Sequence, residues 1–142
     1  MSMVAKRNRP YELLLADDDA EFRRTLRHVL EPHVELCEAE CGEEAVEIVR
    51  TRSVDLVLLD MHMQALSGLD TLRLVKSLRS TLPCIIITAS FTDDLRKRAE
   101  QADAFSVLKK PVTRRLLLTT VSRALEAAYD DPDIGDWLTR RQ

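Results

Sequence analysis

Short unbroken apolar runs, each followed by a helical stripe, constrain this chain more than any other feature. Leu13-Leu14-Leu15-Ala16, Leu56-Val57-Leu58-Leu59 and Cys84-Ile85-Ile86-Ile87 carry no polar alternation. Such runs read as strands buried on both faces, the parallel-sheet type. Between them, apolar residues recur at helical spacing. Phe22, Leu26, Val29 and Leu30 form one stripe; Leu69, Leu72, Val75 and Leu78 form another; Leu117, Val121, Leu125 and Ala128 form a third. The pattern predicts strands over 11–16, 34–39, 54–60, 84–88 and 105–108. It predicts helices from Asp19 to a stop at Pro32, over 43–50, from Leu69 to Leu78, over 93–102, and from a Thr113 cap to Ala128. The fourth helix is highly charged, with few apolar positions. Strand and helix thus alternate five times, which implies an α/β fold with a doubly wound, five-stranded parallel sheet. Right-handed crossovers bring the carboxyl ends of all five strands to one edge.

Composition narrows function mainly by exclusion. The chain has 142 residues, 45% hydrophobic and 32% charged, with a net charge of −3. That suits one soluble domain and carries no basic excess for nucleic acid. A low aromatic content also argues against recognition by base stacking. The only glycines, Gly42, Gly68 and Gly135, are isolated, so neither a dinucleotide-binding loop nor a Walker loop exists. Cys37, Cys41 and Cys84 are too few for a disulfide framework, and no second cluster completes a zinc site. The basic lead-in, residues 1–10, lacks the apolar core of a signal peptide, and no stretch is long enough to span a bilayer. A cytoplasmic location is expected, with no membrane contact. Residues 11–129 form the expected domain. Residues 130–142, with Pro132, Gly135 and Trp137, form a tail or the start of a linker.

The polar residues collect at the predicted carboxyl edge, where ligands of doubly wound sheets bind. The first strand ends in Asp17 and Asp18, the third in Asp60, the fourth in Thr88, and the fifth runs into Lys110-Pro111. Three crowded carboxylates repel one another, and either protonation or a divalent cation relieves this. Oxygen ligands from one or two acids plus water suit Mg²⁺, which completes its shell with phosphoryl oxygen. A lysine supplies a compact positive charge for that group. With no glycine cradle, covalent capture of the phosphoryl group by a carboxylate is the consistent chemistry, and Asp60 is the candidate. Asp19 reads as a helix cap, Lys109 as solvated, and His28 and His33 as surface residues.

The segments 13–19, 56–61, 85–89 and Lys110-Pro111 together resemble the receiver domain of bacterial two-component response regulators. The resemblance covers about Tyr11 to Ala128. It implies a (βα)5 flavodoxin-like sheet with strand order 2-1-3-4-5. It implies that Asp60 accepts a phosphoryl group, with Thr88 as the switch hydroxyl and Lys110 as the phosphate-binding lysine. It further implies Mg²⁺ held by Asp18, Asp60 and the main-chain carbonyl of His62, with Asp17 acting through water. The Lys110–Pro111 bond is expected to be cis.

Two departures from the family pattern stand out. Gln64 replaces the usual proline four residues after the phosphoacceptor, although Gly68 falls where the family has glycine. Val107 replaces the aromatic switch residue three before the lysine, unless Phe105 substitutes. The signal is therefore expected to run through Thr88, Ser90 and Phe91 into the fourth helix. The implied partners are a sensor histidine kinase or phosphotransfer protein, and an output partner that the sequence does not name. The implied assembly is a monomer or weak homodimer, and the chain is not expected to turn over a separate substrate. Two other readings are a fragment of a longer DNA-binding transcription regulator and a phosphorylation-independent docking module. An aspartyl-phosphate phosphatase would place a second acid two residues after its nucleophile, where this chain has His62.

Overall fold

A computed structural model describes residues 9–131 and Ile134. Most of the lead-in and the tail, including Gly135 and Trp137, lie outside them. Five strands alternate with five helices: β1 (Glu12–Ala16), α1 (Ala20–Leu30), β2 (Glu35–Ala39), α2 (Gly42–Thr51), β3 (Leu56–Asp60), α3 (Gly68–Leu78), β4 (Cys84–Thr88), α4 (Asp93–Gln101), β5 (Ser106–Lys109) and α5 (Arg114–Tyr129). All strand pairs are parallel, in the order β2-β1-β3-β4-β5. The expected topology is the observed one.

The unbroken apolar strands follow from burial on both faces. Leu13, Leu15, Leu56, Leu58, Ile85 and Ile87 pack against Leu26 and Leu30 of α1 and Leu117, Val121 and Leu125 of α5. Leu14, Ala16, Val57, Leu59 and Ile86 pack the other way, against Ala45 and Val49 of α2, Leu72 and Val75 of α3, and Ala99 of α4. Each fully buried aliphatic side chain contributes about 1.5–3 kcal/mol.

Local signals set the helix ends. The Asp19 carboxylate accepts from the N–H groups of Glu21 and Phe22 at the start of α1. Ser67, Thr92 and Thr113 cap α3, α4 and α5 in the same way. Helix α1 stops at Leu30, just before Pro32. Helix α2 starts at Gly42, one residue earlier than its apolar pattern indicates. A Cβ on Gly42 would lie 2.2 Å from Thr71 Oγ1, so glycine lets α2 and α3 approach closely. Phe105, expected inside the fifth strand, stands just before it and is exposed. No helix among the described residues is long and apolar enough to cross a membrane.

Candidate functional site

Parallel pairing places Asp17, Asp60 and Lys110 at the same edge of the sheet, each just past or at the end of its strand. Asp17 follows β1, and its N–H donates to Ala39 O at 3.1 Å. Asp60 is the last residue of β3. Lys110 follows β5, and its N–H donates to Thr88 O at 2.8 Å, while its peptide bond to Pro111 is cis. Gly68 lets the first turn of α3 press against the chain leaving β3. A Cβ there would lie 2.4 Å from Asp60 O and 2.8 Å from Met61 Cα.

The side chains converge. Lys110 Nζ lies 2.8 Å from Asp60 Oδ1 and 3.1 Å from Asp17 Oδ2. Its ammonium also sits 4.0 Å from the centroid of the Phe22 ring, a cation–π contact from the first turn of α1. Asp17 and Asp60 are buried, whereas Asp18 is exposed. Asp17 Oδ1 accepts from the Asp19 N–H at 2.8 Å. Carboxylate oxygens of Asp17, Asp18 and Asp60 lie within 4.8 Å of one another. This set of hard oxygen donors, open to solvent through Asp18, fits a Mg²⁺ ion that keeps part of its water shell.

Burial sets the electrostatics of the pocket. It pushes the Asp17 carboxyl above the usual carboxylate range, and the neighbouring Asp60 charge adds to this. The Asp19 N–H and Lys110 pull the other way without cancelling it. Burial pulls the Lys110 ammonium down, but its hydrogen bonds to Asp60 and Asp17 outweigh that and hold it above its ordinary value.

The remaining expected residues are placed less centrally. Thr88 is fully buried at the end of β4, and its Oγ1 accepts from the Ser90 N–H at 3.0 Å. His62 is exposed just beyond Asp60. Phe91 is partly open to solvent in the loop before α4. Val107 packs against the α2–α4 side of the core. Phe105 cannot take the missing aromatic role. Its N–H donates to Cys84 O at the opening of β4, the opposite edge from Thr88. Sequence reasoning missed two residues that touch the site, Phe22 and Arg23. Arg23 is buried, and its Nη1 donates to the main-chain oxygen of Asp17.

Residues 13–122 match the response regulator receiver domain. The chain belongs to that family. The receiver is 31% identical over 117 residues to the chemotaxis protein CheY of Halobacterium salinarum, covering 82% of this chain and 98% of that one. It is 32% identical over 130 residues to the response regulator MprA of Mycolicibacterium vanbaalenii, covering 89% of this chain and 55% of that protein. A receiver domain protein from Clostridium thermocellum superposes with a TM-score of 0.78 at 30% identity, covering 82% of this chain and 95% of that one. Other curated relatives are much longer, and the chain spans 17% of the sensory/regulatory protein RpfC of Xanthomonas campestris.

Proposed function

We propose that this receiver takes a phosphoryl group onto Asp60 from a phosphohistidine of a sensor kinase or phosphotransfer protein. The observation that carries the reading is the Lys110 ammonium held between Asp17 and Asp60 beside a third, exposed carboxylate. An Asp60 oxygen attacks phosphorus. The new P–O bond forms as the donor P–N bond breaks, and the bonding pair leaves on the imidazole nitrogen. Lys110 moves from the bare carboxylate to a phosphoryl oxygen, and Thr88 donates its hydroxyl to another. Asp18, Asp60 and the His62 carbonyl would hold Mg²⁺, with Asp17 acting through water, and the ion would supply positive charge opposite the phosphoryl oxygens. The chain thus catalyses its own phosphorylation and dephosphorylation rather than turning over a separate substrate.

The output step follows from how Thr88 is tied. Its Oγ1 holds the Ser90 N–H in the unphosphorylated chain. Turning the hydroxyl toward a phosphoryl oxygen releases that bond and frees the loop carrying Ser90 and Phe91. The loop leads into α4, so the surface altered for the output partner is that of α4 and β5. Val107 has no ring to swing and takes no active part.

Incubation with acetyl phosphate and Mg²⁺, followed by mapping of the adduct, tests the reading. One phosphoryl group on Asp60 is expected, lost in Asp60→Asn and in Asp18→Ala. An adduct on Asp17, His62 or a serine would overturn it. For the output step, Phe91→Ala should weaken partner binding more than Val107→Ala. A defect confined to Val107→Ala would reject the loop route.

A further inference from the structure

Arg23 is an arginine in the first turns of a surface helix, yet it is only 8% exposed. A guanidinium removed from water needs partners for its charge and its N–H groups. Here those partners lead to the acid pocket. Nη1 donates to Asp17 O, Nε donates to Glu38 Oε1 at 2.8 Å, and Nη2 lies 3.7 Å from Glu40 Oε1. Glu38 is itself held from its other oxygen by Arg27. The fork therefore bridges β2 to one particular atom, the carbonyl of the peptide joining Asp17 to Asp18.

That peptide matters because it carries both acids. Asp17 is fixed at its N–H by Ala39 O and at its carboxylate by Lys110 and the Asp19 N–H. Asp18 is exposed, so its placement depends on the backbone that precedes it. Pinning the 17–18 peptide sets the direction in which the Asp18 side chain leaves the chain.

We infer that Arg23, clamped by Glu38, is a positioning residue that orients the Asp17–Asp18 peptide for cation binding by the acid pocket. The inference rests on the reading of that pocket as a Mg²⁺ site. Groups that hold metal ligands in place typically change metal affinity about 10- to 100-fold when lost. A hydrogen bond to a ligand's backbone belongs at the lower end of that range.

The test is Mg²⁺ titration of the full chain, followed by amide chemical shifts, with hydrogen exchange of the Asp18 and Asp19 amides in the metal-free protein. Arg23→Gln should bind Mg²⁺ about tenfold more weakly. It should also exchange the two amides faster before any metal is added. Arg23→Lys should recover little, since one ammonium cannot serve both Asp17 O and Glu38. Full recovery in Arg23→Lys would show that charge alone matters and overturn the inference. So would lower thermal stability in Arg23→Gln with unchanged Mg²⁺ affinity, which marks a purely structural tie between α1 and β2. If Arg23→Gln does not fold, Glu38→Gln decides: weaker Mg²⁺ binding supports the clamp, and unchanged binding rejects it. Wild-type chain that binds no Mg²⁺ removes the underlying reading, and the inference with it. Wild type that binds and an Asp18→Ala variant that does not leave that reading standing whatever Arg23 does.

Discussion

The helices on one face of the sheet are built to two standards. Helices α2 and α3 meet at Gly42, where even a methyl group would collide with Thr71, and α3 reaches the backbone of Asp60 through Gly68. Five of the eleven residues of α3 are buried, against Leu95 and Ala99 alone in the nine of α4. The side holding Asp60 is thus fixed by main-chain contact, while the side proposed to carry the output is lightly anchored. Segments with few buried apolar contacts open at lower free energy than the rest of a fold. The difference teaches where each task can sit. Phosphoryl chemistry needs positions held to fractions of an ångström, and a signal needs an element that moves at little cost.

The largest expected effect comes from breaking the rigid side at its tightest point. Gly68→Ala drives a methyl group into Asp60 O and Met61 Cα, which belong to backbone and cannot step aside. A loss of about 3 kcal/mol or more is expected in urea unfolding, with slowed phosphorylation of whatever still folds. A loss below about 1 kcal/mol would mean that the approach of α3 is not fixed. Next comes the matched pair Leu72→Ala and Leu95→Ala. Leu72 is fully buried and Leu95 is not, so losses of about 3–4 and about 2 kcal/mol are expected. Equal losses would erase the contrast between α3 and α4.

A smaller effect reads the acid pocket by pH. The folded value of Lys110 is raised, so its contribution to stability is complete below 10.5 and is lost as pH climbs from there through the raised value. The folded value of Asp17 is also raised. Its contribution is therefore most favourable in acid and declines as pH rises above 3.8 through that raised value. Thermal melts should fall more steeply on the alkaline side in wild type than in Lys110→Gln, and Asp17→Asn should flatten the acid side. Equal alkaline slopes in wild type and Lys110→Gln would show that the lysine adds nothing of this kind. The smallest effect tests the loop leaving α4. Asp103 has φ 66°, which glycine adopts without penalty, so Asp103→Gly should stabilise by about 0.5 kcal/mol. A destabilised variant would show that the aspartate holds more than a turn.

The fold was legible because β1, β3 and β4 are buried on both faces and their sequences say so without interruption. Phe105 was misread because β propensity says nothing about where pairing starts; the register opens at Ile85 and Ser106. The acid pocket was legible from strand ends alone, since parallel order forces Asp17, Asp60 and Lys110 to one edge. Phe22 and Arg23 were not, because the groups that hold them there, Lys110 beyond β5 and Glu38 on β2, are brought up only by the fold. A signal did exist for Arg23. It shares the i, i+3, i+7 face with Leu26 and Leu30, where an arginine is out of place unless something neutralises it.

Among the described residues, the strand order leaves β2 and β5 with one unpaired side each. Exposed rows of backbone N–H and C=O groups invite other chains to add on, the first step towards fibres. Glu35 on β2 and Lys109 on β5, both exposed, place charges along these borders. Glu38, by contrast, is neutralised by Arg23 and Arg27 on the α1 side, so on β2 it is the exposed Glu35 that sets a charge against an incoming strand.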